Sequence, residues 1–364
     1  MGASLLALLA WSQVAAPQSP PGFAKLAAQA TGARMANKQP EAIGAYQQAL
    51  KLNPKWHEGW FFLGRLYYDQ DKGPECAAAF ERFTALQPKV SAGHAFLGLC
   101  RFQTGANTAA LQALEKARQA GLPEGEQLTD VASYHAALLY TKAENFERAL
   151  QILNFFSRRP QIDPKIIQAA GIAVLRRPIF PQELPEEDRE LVFRLGRALM
   201  MAGDRRAQEA AQQFDEIVHD YPNTPNIHYA YGTFLLGGDA DRGLAELKKE
   251  LEARPDHLPS LVLTGLEYLK RGDAASAKPY GERAVKAAPG NFTSHVLLGR
   301  ALVGLDETEA GIRELEVAVK LEPTSPQTRI ALASAYQKAG KPAEAARHRA
   351  EFQRLKQMLE EQGR

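Results

Sequence analysis

The sequence predicts an all-α solenoid of antiparallel helix pairs, and three observations carry that prediction. Leu-Gly pairs recur in one frame, at Leu63-Gly64, Leu97-Gly98, Leu195-Gly196 and Leu298-Gly299, mostly at multiples of a period of about 34 residues. Prolines close the second helical run in the same phase, at Pro54, Pro88, Pro222, Pro255, Pro289 and Pro323. Small residues stand where two helices joined by a short turn must cross: Gly64, Gly98, Gly265 and Gly299 on first helices, Ala149, Ala210, Ala277 and Ala345 on second helices. One such pair cannot hide its apolar faces alone, so the pairs must stack on one another.

The chain opens on Met-Gly-Ala-Ser-Leu-Leu-Ala-Leu-Leu-Ala-Trp and then Ser-Gln-Val-Ala-Ala. An apolar run followed by small residues has the form of an export signal over 1–16, cleaved after Ala16, although no Lys or Arg precedes the run. That run falls well short of the roughly 20 residues a spanning helix needs, so no integral membrane span is expected. Residues 17–22 form a Pro-rich linker. These features predict a periplasmic or secreted bacterial protein, with a cytoplasmic one as the alternative.

The first block of repeats is expected over 23–163, with frames at 23–56, 57–90, 91–124 and 130–163. The first frame carries Gln29-Ala30, and the fourth Ala136-Ala137, in place of the Leu-Gly pair. An interruption follows at 164–188. Asp163 and Pro164 start a helix, Gly171 gives it the look of a first helix, and a partner helix is expected to be missing. Instead the chain reads Arg176-Arg177-Pro178-Ile179-Phe180-Pro181-Gln182-Glu183-Leu184-Pro185, where three prolines forbid continuation of the helix. This segment reads as a spacer, or as a loop that docks a partner or plugs a groove through Phe180 and Leu184. The second block is expected over 189–364, with frames at 189–224, 225–257, 258–291, 292–325 and 326–359. Its last helix, from Ala343 through Phe352, Leu355 and Met358, is long and polar on one face, as a solenoid end requires.

Trp60, Leu63, Gly64 and Tyr67, with Phe80 and Pro88 behind them, fit the W-x2-L-G-x2-Y signature and the aromatic and proline that follow it. On these residues the chain resembles the tetratricopeptide repeat family over about nine-tenths of its length, with about nine repeats. The resemblance implies an α-α superhelix, a right-handed solenoid, whose first helices line a concave groove. It also implies a non-catalytic scaffold that binds a peptide or helix of a partner protein. At about 100° per residue, the groove stripe reads Phe61, Arg65 and Tyr68, then Phe102, then Tyr134, then Phe193 and Arg197, then Tyr229 and Arg300. Buried aromatics on this stripe would equally serve as core between neighbouring repeats. Arginine is the more telling residue, because it is rarely buried without a partner. No first helix carries Lys followed four residues later by Asn on this stripe, so the clamp that some family members use for a terminal carboxylate is not expected.

Composition argues against other classes. Forty-four basic and 42 acidic residues leave a net charge of +2, so nucleic acid is not an expected partner. The two cysteines, Cys76 and Cys100, are too few for a disulfide framework. They read as buried thiols, with a single bridge between neighbouring helices as the alternative. His94, His228 and His295 replace the signature Trp and are expected to pack. No HExxH, Cys-His cluster, Gly-rich phosphate loop or G-x-S-x-G turn is present. No catalytic residue, cofactor or metal is therefore expected, and the chain reads as no enzyme. The competing reading is structural: a self-associating solenoid, a homo-oligomer in an envelope assembly.

Overall fold

The computed structural model describes residues 20–123 and 127–362. The expected signal at 1–16, and residues 17–19 of the linker at 17–22, lie outside the described residues. The chain divides into two units, the first ending at Arg205 and the second beginning at Arg206. Every regular element among the described residues is helical.

The first unit is five helix pairs: α1 (Phe23–Met35) with α2 (Gln39–Leu52), α3 (His57–Tyr68) with α4 (Gly73–Leu86), α5 (Ser91–Gln103) with α6 (Asn107–Gln119), α7 (Gln127–Lys142) with α8 (Phe146–Asn154), and α9 (Pro164–Val174) with α10 (Arg189–Gly203). Within four of the pairs the first helix is stopped by one left-handed residue near its end: Asn37, Asp71, Gly105 and Glu144. Prolines at the first turns of α2 and α4 start the second helices where a missing N–H costs nothing. Tyr46, Phe80, Phe83 and Phe156 are fully buried between the pairs, each worth about 2–3 kcal/mol of apolar burial.

The expectation that α9 lacks a partner is corrected. Its partner is α10, 14 residues further on, and the two cross with almost no side chain between them. A Cβ on Gly171 would lie 1.8 Å from the Val192 carbonyl oxygen, and one on Gly196 would lie 1.9 Å from that of Ile167. Only glycine permits so close a crossing. The boundary between the two units, after Arg205, falls inside the expected frame 189–224.

The reading of Cys76 and Cys100 as free thiols is corrected as well. They form a disulfide between α4 and α5, with Cα atoms 5.7 Å apart, and both are completely buried. Successive pairs bring these two helices into contact, which places the sulfurs within bridging reach.

The second unit opens on α11 (Ala207–Asp220) and continues as four pairs: α12 (Ile227–Leu235) with α13 (Ala240–Ala253), α14 (Leu258–Lys270) with α15 (Ala274–Ala287), α16 (Phe292–Gly304) with α17 (Thr308–Leu321), and α18 (Pro326–Lys338) with α19 (Pro342–Gln362). Asp239 and Asp273 cap the second helices of the first two pairs by accepting the Arg242 and Ser276 N–H groups. Phe214 stacks on Tyr231 at 5.2 Å, joining α11 to α12. At the start of α12 the cap comes from outside the helix: the buried Glu250 of α13 accepts the Asn226 and Tyr229 N–H groups and pairs with Arg254. Among the described residues α19 is the longest helix at 21 residues, and Ala345 and Leu355 are buried along it. Among the described residues no helix is long and apolar enough to cross a membrane.

Candidate functional site

The first helices of successive pairs place α5, α7 and α9 side by side in the first unit. Their shared face holds a cleft of about 850 Å³. Phe102 of α5, with Tyr134, His135 and Leu138 of α7, makes one wall, and Ile166 and Gln168 of α9 face it. Pro181 and Gln182 of the proline loop close one side. The His135 ring lies edge-on to both Phe102 (4.8 Å) and Tyr134 (5.3 Å), so these rings form one continuous surface.

The floor of the cleft is ionic. Arg159 pairs through both terminal nitrogens with the Asp130 carboxylate, one of these bonds measuring 2.6 Å. Asp163 caps α9 by accepting the Lys165 N–H, while Lys165 itself is exposed. Burial pushes the His135 imidazole below its ordinary value, and its Nδ1 lies 2.7 Å from the Val131 carbonyl. Burial, reinforced by Asp163, pushes the Tyr134 hydroxyl up. A neutral aromatic wall thus stands over a charged floor, an arrangement suited to holding an apolar side chain while orienting a polar backbone. Among the described residues no group of acidic, His and Cys side chains could hold a metal ion.

The nine stripe residues fall into different surroundings. Phe61 packs on Phe80, Phe83 and Phe96 at 5.7, 5.2 and 5.9 Å. Arg65 lays its guanidinium 4.6 Å from the centre of the Phe96 ring, with a buried Nε that has no hydrogen-bond partner. Tyr68 meets the same ring edge-on at 5.5 Å. These three lie against the next pair, whereas Phe102 and Tyr134 line the cleft. Phe193 is half-buried on α10 and Arg197 is exposed. In the second unit Tyr229 stands edge-on to His257 at 5.1 Å, and Arg300 is exposed on α16.

One regularity escapes a reading based on packing alone. In five repeats the side chain at the signature Trp position reaches the carbonyl of the proline six residues earlier, in Trp60 to Pro54, His94 to Pro88, His228 to Pro222, His295 to Pro289 and Arg329 to Pro323; in the fourth repeat Thr129, one turn before that position, does the same for Pro123. Those carbonyls lie past the helix end and need a donor. Trp, His and Arg share an N–H rather than a shape, which is why the position looks irregular in the sequence.

Comparison with known proteins gives the following. Tetratricopeptide repeat profiles match residues 27–75, 63–123 and 262–327, and residues 190–224. Cellulose synthase operon protein C of Xanthomonas axonopodis pv. citri (strain 306) is 32% identical over 146 residues, 38% of this chain. The chain spans only 10% of that relative's length. Among solved structures, MamA (41-end) from Desulfovibrio magneticus RS-1 is 26% identical with a TM-score of 0.43, over 48% of this chain and 97% of the other. MamA AMB-1 is 23% identical with a TM-score of 0.39, over 45% and 98%.

Proposed function

Because this chain belongs to the tetratricopeptide repeat family, we propose that it is a protein-interaction scaffold that takes an extended peptide or a helix of a partner protein on the face of its first helices. The cleft between α5, α7 and α9 is the centre of that surface. Convergence of Phe102, Tyr134 and His135 over the Arg159–Asp130 pair is the observation that carries the reading. The remaining stripe residues extend the surface or pack beneath it. The chain binds without catalysis.

The scaffold works outside the cytoplasm, in a bacterial envelope assembly. Three observations support this placement: the apolar opening followed by small residues, the buried Cys76–Cys100 disulfide, of a kind that persists in oxidising compartments, and the likeness to a cellulose synthase operon protein.

Peptides selected on the purified full chain from a displayed library test the groove. Tyr134→Ala and Lys165→Glu should each weaken the selected peptides about tenfold, with Lys356→Ala on α19 as the unaffected control. Unchanged affinity in both cleft variants, with their helical spectra intact, would remove the cleft from the binding surface.

A further inference from the structure

The proline loop does not leave the groove face. Pro178, Pro181 and Pro185 deny residues 178–185 an α-helix and leave a single 3₁₀ turn at Pro181–Glu183, and the segment lies back over α5 and α7. Phe180 stands edge-on to Phe102 at 5.6 Å and an interplanar angle of 84°. The Lys142 ammonium is 5.2 Å from the centre of the Phe180 ring. Lys142 also holds both oxygens of Glu183, at 3.1 and 2.9 Å. Glu183 in turn accepts the Phe180 N–H at 2.6 Å. A stripe residue of the groove is thus covered by a segment in which an aromatic side chain is followed, one 3₁₀ turn (Pro181–Glu183) later, by a carboxylate.

Two features distinguish this contact from ordinary core. Its polar half is open to solvent, with the Lys142 and Glu183 side chains 34% and 44% exposed, and ion pairs in such surroundings hold weakly. Its anchors lie elsewhere: Leu184 is buried, and Arg177 closes the base of the loop on Asp188 at 2.5 Å. The tip carrying Phe180 can therefore lift while the base stays fixed. Pro181 and Gln182, which wall the cleft, travel with that tip.

We propose that residues 179–183 are an intramolecular stand-in for the partner. The groove at Phe102 and Lys142 takes a tightly turned partner segment bearing an aromatic residue and, at the third position after it, a carboxylate. Such a segment binds by displacing Phe180 and Glu183, so the loop both blocks the site and copies the chemistry the site accepts. The inference rests on the groove reading given above.

A fluorescent peptide copying residues 177–186 is titrated into the full chain and into its Phe180→Ala/Glu183→Gln variant. Removing the tethered competitor should tighten peptide binding about tenfold or more. Adding Lys142→Ala to that background should abolish the gain, and a peptide with its Phe replaced by Ala should not bind. A folded double variant that binds the peptide no better than the parent overturns the proposal and makes the loop a fixed buttress. Should the double variant fail to fold, Glu183→Gln alone keeps Phe180 and Leu184 packed. It is expected to gain about threefold, and no gain is equally fatal. Loss of library peptides in Tyr134→Ala without any gain here would overturn the stand-in and leave the scaffold standing.

Discussion

Gly171 and Gly196 lock α9 to α10 by reciprocal approach: each glycine lies against the backbone carbonyl of the residue four before the other, Val192 and Ile167 respectively. No side chain separates the helices at this point. The crossing also positions the cleft, because α9 supplies its far wall and the loop between α9 and α10 supplies Pro181 and Gln182.

Gly171→Ala should therefore destabilise the first unit by about 3 kcal/mol or more. Alanine gains about 1 kcal/mol of helix propensity over glycine, but a methyl group 1.8 Å from the Val192 carbonyl oxygen cannot be accommodated without moving backbone. A methyl group on Gly44 of α2 would meet nothing within 4 Å, so Gly44→Ala should stabilise by roughly 0.5–1 kcal/mol. Urea unfolding followed by circular dichroism separates the two, and equal effects would refute the account of the crossing.

The Cys76–Cys100 bridge spans a sequence separation of 24 and joins α4 to α5. Loop-closure entropy for a loop of that size corresponds to about 3 kcal/mol. Paired Cys76→Ala and Cys100→Ala replacement should lower the first unit's stability by roughly 2–4 kcal/mol, and peptide mapping without reductant should recover the two segments linked. Because both sulfurs are completely buried, reduction of the native protein should be slow until the α4–α5 contact opens. Rapid reduction under native conditions would contradict the burial.

His228 and Glu246 should make the stability of the second unit depend on pH. The hydrogen bond to Glu246 raises the His228 imidazole above its ordinary 6.5 despite burial, and its other nitrogen faces the Pro222 carbonyl. Burial alone would raise Glu246, but its hydrogen bonds to His228 and Lys249 outweigh that and hold it below 4.5. The His228 contribution is complete below about pH 6.5 and vanishes as pH climbs through the raised folded value. That of Glu246 is complete above about pH 4.5 and vanishes as pH falls through the lowered one. The stability difference between the parent and His228→Asn should accordingly peak between about pH 4.5 and 6.5 and narrow on the alkaline side. A difference that stays constant from pH 5 to pH 9 would rule out this coupling.

The sequence by itself determined the repeating unit. Leu63, Gly64, Tyr67 and Phe80 announce a helix pair because a close crossing accepts only small residues and its flanks only large ones, and both demands are local to the pair. The same locality made the helix start at Asp163 and the long last helix legible. What each pair does with its neighbours was decided only in three dimensions. Gly171 and Gly196 look alike in the sequence, yet nothing in a 34-residue frame says that these two will face each other across a proline loop. Phe61 and Phe102 occupy equivalent stripe positions. The first packs among Phe80, Phe83 and Phe96, whereas the second meets His135 and Phe180 beside a cleft. Periodicity fixes which way a side chain points from its own helix. Whether it meets core, cleft or loop depends on residues far along the chain, and that is a property of the packed molecule.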